Sequence, residues 1–407
     1  MKDQKDQISN IEENDDSNED VHLRDEHLST ENVEDAVAQI HEISSNESIE
    51  YEKALDLLDK LLMVSPDDPK VYYEKGFFFE IAQKYHDAIK CFDQALNINR
   101  NYFEAWYRKG LALNNLQKYH DAIKCFDQSL IINPGNINAL NEKGYSLNKI
   151  GLYDKAAESY EEVLKNNPND IRALNNKGVA LANSNNAKDA LYYYDLALSI
   201  KPDDINAITN KGVALASLGK YDDAIYYYDL ALSINPDDVN ALNNKGIALA
   251  SLGRYDDAIY SYDRALRINP AIPKTYYNKG ITLANVLQYQ EAIECYDQVI
   301  RINPDYVDAY YNKAVALGCL GRYQEAVVYY DEVIRRNSEY VNAYYGKGYS
   351  LDCLLRYEEA IKCYDQVIRI NPDYVDAYYA KGKALEKLGM NSEAIKYLTI
   401  ARKLETF

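Results

Sequence analysis

Side-chain amides recur through the middle of this chain at a fixed interval of thirty-four positions, as from Asn210 to Asn244 and on to Asn278. They occupy two adjacent places in that interval, and others precede them by a few positions. The asparagines at the two adjacent places are Asn141, Asn175, Asn176, Asn210, Asn243, Asn244, Asn278 and Asn312. Because an amide both donates and accepts hydrogen bonds, such a series can satisfy the N–H and C=O groups of a peptide whatever its side chains. The pattern indicates recognition of an extended polypeptide.

Groups that carry catalysis or bind metal ions do not converge in this sequence. The six cysteines fall at only two places of the same interval, as Cys91 and Cys125 show for one place and Cys319 and Cys353 for the other. This indicates structural fillers in a reducing compartment. The five histidines are scattered, and neither a CxxC pair nor a phosphate-binding GxxxxGK[ST] loop occurs. The last repeat runs to Phe407 and leaves no room for a catalytic domain. We therefore expect no metal site, no cofactor and no enzymatic activity.

The charge balance argues against polyanionic partners. The chain has 45 basic and 64 acidic side chains, a formal charge of −19. Nucleic acid phosphates and anionic lipids need a basic counter-surface, so neither is an expected partner. No apolar stretch approaches the roughly 18 residues of a membrane span, and the N-terminus lacks the apolar core of a secretory signal. A cytoplasmic location is predicted.

Residues 1–34 form a separate acidic segment, with 12 acidic and 3 basic side chains and few apolar ones. Such a composition cannot bury enough apolar surface to offset the entropy of ordering, so we predict a disordered tail. Its role is either solubility or that of a docking or autoinhibitory arm.

The rest of the chain is built from one repeated segment. Lys-Gly recurs at this interval, or at twice it, from Gly76 to Gly382, which defines ten repeats over residues 69–407 when the glycine is taken as the eighth position. The apolar spacing within each repeat predicts two helices separated by a turn, often at glycine. Small residues, glycine on the first helix and alanine on the second, predict close helix packing. Residues 35–68 contain only the second half of the pattern and are predicted to be a degenerate capping repeat.

The segment EAWYRKGLALNNLQKYHDAIKCFDQSLIINPGN, residues 104–136, resembles the tetratricopeptide repeat. The signature residues are Trp106, Gly110, Tyr119, Ala122, Phe126 and Pro134. The resemblance implies an all-α fold, a right-handed superhelical α-solenoid of about ten helix-turn-helix units plus the degenerate N-terminal unit. It also implies that first helices line a concave groove and second helices face outward.

In that groove, the asparagines are similar to the asparagine ladder of O-linked N-acetylglucosamine transferases, which holds polypeptides by their backbones. The alternative is that these asparagines only cap local structure.

Tyrosines replace asparagine at the fifth position of later repeats, where they either contact a ligand or pack between repeats. They are Tyr277, Tyr311, Tyr345 and Tyr379. The runs Tyr192–Tyr194 and Tyr226–Tyr228 lie on second helices, where the third ring is expected to be buried and the first two either pack between repeats or form a convex patch.

These observations predict a non-catalytic scaffold that binds a partner protein or extended peptide through the asparagine ladder. The alternative is a structural solenoid that associates end to end, as a homo-oligomer, through residues 375–407. This segment places Ile400 where other repeats mostly carry polar side chains, and terminal repeats normally need a polar outer face. A monomer in sedimentation at high concentration would exclude this alternative.

Overall fold

The computed structural model describes residues 49–405, and their side chains from residue 52 onward. This part of the chain holds twenty-one α-helices and no strand, which confirms the predicted all-α fold. The predicted acidic tail, residues 1–34, and residues 35–48 of the predicted capping repeat lie outside the described residues. In chain order the helices are α1 (Ile49–Val64), α2 (Pro69–Ile81), α3 (Tyr85–Ile98), α4 (Phe103–Asn115), α5 (Tyr119–Ile132), α6 (Ile137–Lys149), α7 (Tyr153–Asn166), α8 (Ile171–Asn183), α9 (Ala187–Ile200), α10 (Ile205–Ser217), α11 (Tyr221–Ile234), α12 (Val239–Ser251), α13 (Tyr255–Ile268), α14 (Pro273–Asn285), α15 (Tyr289–Ile302), α16 (Val307–Cys319), α17 (Tyr323–Arg336), α18 (Val341–Cys353), α19 (Tyr357–Ile370), α20 (Val375–Lys387) and α21 (Asn391–Glu405).

A left-handed residue joins the two helices of each repeat. Glycine fills this place in five repeats, and at Gly253, for example, φ is 76°. Five other repeats put a residue with a side chain in the same conformation, and Leu287 has a φ of 62°. Glycine is therefore favoured at this turn, because it adopts the conformation without steric cost, but the fold does not require it.

The two helices of a repeat cross at the predicted small residues. A Cβ atom built on Gly246 would lie 2.5 Å from Cε1 of Tyr262, which is on the second helix and buried. Ala258, one turn earlier on the same helix, is fully buried. The missing side chain at Gly246 thus gives the space that the tyrosine ring fills. This close approach explains why a helix breaker recurs in the middle of the first helix.

The chain divides into two compact blocks, the first ending at Gly151 and the second beginning at Leu152. Within each block every helix packs against the next, and each first helix also contacts the first helix of the following repeat. Among residues 49–405, successive second helices do not make contacts of comparable extent. Each block therefore curves with its first helices on the inner side and its second helices on the outer side.

Candidate functional site

A cleft of ≈370 Å³ opens on the inner side of the second block, lined by residues of α10 and α12 and by the start of α14. Five of its lining residues are asparagines from two successive repeats: Asn206, Asn210, Asn240, Asn243 and Asn244. The remaining surface combines threonines and the aliphatic side chains of Val213, Val239 and Ile272 with Asp238 and Lys274. The cleft is thus rich in amides and hydroxyls, with an apolar component.

The helix geometry explains why these amides point the same way. Asn206 and Asn210 are one helical turn apart, so they share one face of α10, and Asn240 and Asn244 repeat this relation on α12. An N-cap carboxylate fixes the start of α10 and of α12. Asp238 accepts a hydrogen bond from the Ala241 backbone N–H at 3.0 Å. The local sequence therefore sets both where the helix begins and which side chains reach the cleft.

Hydrogen bonds also join the amides of neighbouring repeats. Asn210 Nδ2 donates to Asn175 Oδ1 at 3.1 Å, and Asn278 Nδ2 donates to Asn243 Oδ1 at 3.4 Å. The sixth-position side chain of one repeat is thus held by the fifth-position side chain of the repeat before it. Because this contact uses only one N–H of the donating amide, it orients that amide and leaves its carbonyl oxygen for another partner.

The predicted asparagines differ in accessibility. Asn176, Asn210 and Asn244 are half-buried, and the side chains of Asn176 and Asn244 make no hydrogen bond to another described residue. Asn243 is 8% exposed and Asn141 is 3% exposed, so these two lie largely between neighbouring side chains. Asn141 also belongs to the first block, apart from the cleft. Of the predicted asparagines, the structure brings Asn210, Asn243 and Asn244 together at the cleft. The others lie outside its lining: Asn141, Asn175, Asn176, Asn278 and Asn312.

Two threonine hydroxyls of the cleft are buried without a partner among the described residues. These are Oγ1 of Thr209 and Oγ1 of Thr275, and Thr275 is 0% exposed. A buried hydroxyl that lacks a hydrogen bond costs about 1–3 kcal/mol. The third position of a repeat, which Thr275 occupies, is alanine in eight other repeats and valine at Val71. Packing alone does not require a hydroxyl there.

We expect Thr275→Val to raise the free energy of unfolding by about 1 kcal/mol, because valine fills the same volume without an unpaired hydroxyl. Thr282, on the same helix, is the matched control. Its Oγ1 donates to the Asn278 carbonyl oxygen at 2.9 Å, so Thr282→Val should lower stability by about 1 kcal/mol. Denaturant unfolding of the full chain measures both values. Loss of stability in Thr275→Val would show that its hydroxyl already has a partner.

Most of the predicted tyrosines pack within the protein. The ring of Tyr277 lies 6.2 Å from that of Tyr296 and 5.0 Å from that of Tyr306, and burial raises the Tyr277 pKa. Tyr311 and Tyr345 have equivalent ring neighbours. Tyr379 differs, because its side chain is 53% exposed. The first three rings are thus packing residues at least in part, and Tyr379 is the accessible one.

A row of ion pairs between repeats was not anticipated from the sequence. The lysine before the eighth-position residue meets a carboxylate on the preceding second helix, as in Lys347 with Asp331 at 2.6 Å. All ten repeats have this pair. At Lys177 burial disfavours the ammonium, but hydrogen bonds to Glu161 and Tyr193 outweigh it and raise the pKa of the lysine. The constant spacing of lysine and carboxylate was the signal that could have revealed this row.

Burial disfavours the reactive thiolate form of three cysteines. Cys125, Cys295 and Cys363 are buried, and burial raises the pKa of each thiol to about 11. Residues 49–405 contain no group of three or more His, Cys, Asp or Glu side chains placed to hold a metal ion. Within the same range no helix is long and apolar enough to cross a lipid bilayer.

In the segment proposed for self-association, residues 375–407, Ile400 is half-buried and Ile395 is 64% exposed.

Comparison with protein families gives matches over most of the chain. Models described as "Tetratricopeptide repeat" match residues 69–102, 103–136, 141–205, 209–272, 273–306 and 295–328, and one described as "TPR repeat" matches residues 356–389. No curated protein matches the chain.

Several solved structures are similar to the chain. MamA protein is 27% identical with a TM-score of 0.40, over 41% of this chain and 92% of its own. YrrB, titled a TPR protein with an unusual peptide-binding site, is 22% identical with a TM-score of 0.42, over 46% and 97%. Yeast Tom70 is 15% identical with a TM-score of 0.43, over 92% of each chain. At these scores the likenesses add nothing to the family match.

Proposed function

The chain belongs to the tetratricopeptide repeat family, and we propose that it is a non-catalytic scaffold that binds an extended segment of a partner protein in the asparagine-lined cleft of the second block. The observation that carries this proposal is the convergence of five asparagine amides on one inner cleft. The side chain of Asn244 has no partner among the described residues, and the Asn210 amide uses one N–H and keeps its carbonyl oxygen for a ligand. A peptide backbone offers a donor and an acceptor at every residue other than proline.

The repeat spacing suits an extended chain. Packed helices lie about 8–10 Å apart, and an extended polypeptide advances about 3.3–3.6 Å per residue, so each repeat spans roughly three residues of ligand. The amide of each repeat would therefore meet the ligand backbone at a regular interval. Such a register favours an extended segment over a helix, which rises only about 1.5 Å per residue.

The electrostatics of the cleft support recognition of the backbone rather than of charged side chains. Its only ionisable lining residues are Asp238 and Lys274. The carboxylate of Asp238 already caps its own helix. The cleft is close to neutral, so a ligand gains little there from carrying charge.

The same proposal places the protein in the cytoplasm, with protein partners and without nucleic acid. All six cysteines are free, and Cys319 and Cys353 are exposed. Exposed thiols are typical of a reducing compartment. The formal charge of −19 disfavours binding of a polyanion.

The triple variant Asn210→Ala, Asn244→Ala, Asn278→Ala tests the proposal. We expect its affinity for a cleft-binding peptide to fall at least about tenfold, since each lost backbone hydrogen bond is worth about 0.5–1.5 kcal/mol. A peptide is first selected from a random library with the full-length protein, and its affinity for each variant is then measured by fluorescence anisotropy. N-methylation of the peptide backbone should weaken binding as much as the triple variant does.

The control is Asn97→Ala combined with Asn166→Ala, which removes two exposed amides from the second helices α3 and α7. This variant should bind the peptide like the parent protein. If the triple variant keeps both its circular dichroism spectrum and its full affinity, the amides do not bind the ligand and the proposal is wrong.

A further inference from the structure

Three tyrosines stand exposed at the same position of three successive second helices, on the side of the second block opposite the cleft. They are Tyr192 on α9, Tyr226 on α11 and Tyr260 on α13, and their exposed fractions are 60%, 64% and 62%. We call these residues the tyrosine stripe. Large aromatic side chains are usually much more buried, so three at one position indicate a surface with a role.

The fold does not need aromatic residues at this position. In the other seven repeats the twenty-second position is charged in six and aliphatic in one. These residues are Lys90, Lys124, Glu158, Glu294, Val328, Lys362 and Lys396. A position that carries lysine or glutamate in most other repeats faces solvent. The tyrosine stripe is therefore a feature of the three middle repeats rather than a packing requirement.

The neighbouring rings hold part of the stripe in place. Tyr226 meets Tyr227 edge to face, with ring centroids 5.2 Å apart, and Tyr192 meets Tyr193 in the same way. Tyr227 is itself fixed, because Lys211 donates to its hydroxyl at 2.6 Å and lies 4.3 Å from its ring centroid. This surface already brings ammonium groups and tyrosine rings together within the chain.

Exposed carboxylates flank two of the three rings of the tyrosine stripe. Asp222 and Asp223 lie one turn before Tyr226, and Asp256 lies one turn before Tyr260, so they share a helix face with those rings. These three carboxylates are exposed and make no ion pair with another described residue. The other aspartates of the three helices include four that pair with basic residues, and Lys188 and Arg264 lie one turn from Tyr192 and Tyr260. The negative border of the stripe is therefore strongest beside Tyr226 and before Tyr260.

We propose that the tyrosine stripe is a second docking surface, which binds a lysine- and arginine-rich segment of a partner protein. Ring faces attract ammonium and guanidinium groups, and the flanking carboxylates add charge complementarity. The same carboxylates oppose a purely apolar partner, an acidic segment and an anionic membrane surface. Because the stripe and the cleft lie on opposite sides of the block, both can be occupied at once.

The test compares peptide binding by the full-length protein and a triple variant, Tyr192→Ser, Tyr226→Ser, Tyr260→Ser, which leaves the charge unchanged. The probe is a short fluorescent peptide of alternating arginine and alanine. We expect the triple variant to bind it on the order of tenfold more weakly, since each exposed cation–π contact is worth about 0.5–1 kcal/mol. The matching triple Tyr→Phe variant keeps the rings and should keep the affinity.

The control is Val328→Ser, which changes the same position of another repeat, where the side chain is 54% exposed. It should leave binding unchanged, and circular dichroism checks the fold of every variant. Equal affinity of the serine triple variant and the parent would show that the acidic chain attracts any polycation, and would overturn the proposal. Equal binding of a glutamate–alanine peptide would overturn it as well. Neither result affects the cleft, which the asparagine variants test separately.

Discussion

Gly246→Ala is expected to lower the free energy of unfolding by about 1–3 kcal/mol, whereas Gly318→Ala raises it by up to about 1 kcal/mol. Both glycines lie in first helices, so alanine improves the intrinsic helix propensity in each case. The two positions differ in the atoms that the new methyl group would contact. At Gly246 it would lie 2.5 Å from the buried ring of Tyr262, and at Gly318 nothing lies within 4 Å.

Denaturant unfolding of the full chain, followed by circular dichroism, measures both changes. The buried ring of Tyr262 can relieve the clash only by moving, which is the physical reason for the loss at Gly246. Equal effects of alanine at the two glycine positions would show that helix propensity, rather than the aromatic contact, keeps glycine in the repeat.

Gly346→Asn is expected to lower stability by about 1–3 kcal/mol, although asparagine stands at this sixth position in five other repeats. A Cβ atom at Gly346 would lie 2.5 Å from Cζ and 2.6 Å from the hydroxyl oxygen of Tyr330. The cause is Ala314 in the preceding repeat. Ala314 replaces the glycine of the eighth position, and its methyl group occupies the space that the buried aromatic ring of the second helix fills in the other repeats. Tyr330 instead extends toward the next first helix, where only glycine leaves room.

This explanation predicts a rescue. Ala314→Gly should let Tyr330 adopt the usual position, so Gly346→Asn should cost much less in the Ala314→Gly background. A double-mutant cycle on the unfolding free energies measures this coupling, which we expect to be about 1–2 kcal/mol. Additive effects of the two substitutions would contradict the proposed link between Ala314, Tyr330 and Gly346. The rescued variant would also extend the asparagine series by one repeat.

The sequence was a strong guide to the helices because the repeat supplies the same information many times. The structure begins each first helix at the first position of its repeat, from Pro69 to Val375, since a single constant period leaves one register for all repeats. The small residues predicted the close approach of the two helices at the Lys-Gly glycine, and the structure adds the aromatic ring that fills the space. The row of lysine–carboxylate ion pairs was not predicted, because the lysine of the Lys-Gly pair was used only to define where each repeat begins.

The sequence was a weaker guide to the candidate site. It identified the asparagine series, yet periodicity assigns the same face to every copy and cannot tell which copies are open. Asn244 is half-buried without an internal partner, whereas Asn243 beside it is 8% exposed and accepts a bond from Asn278. Thr275 was not predicted as a site residue, although it carries a hydroxyl at the third position of the repeat, where most repeats have alanine. The sequence also could not separate the tyrosines of the later repeats, because Tyr277 packs against two other rings whereas Tyr379 is 53% exposed.

The sequence by itself determined the period, the two helices of each repeat and the residues that each first helix presents on its inner face, because local helix geometry fixes which residues share a face. Only the tertiary structure decided which of these side chains are accessible. Accessibility depends on the side chains of the neighbouring repeat, and a contact such as that of Tyr330 with Gly346 joins residues on different helices. The position of a side chain in the repeat is local information, but the space around it is set by packing between repeats.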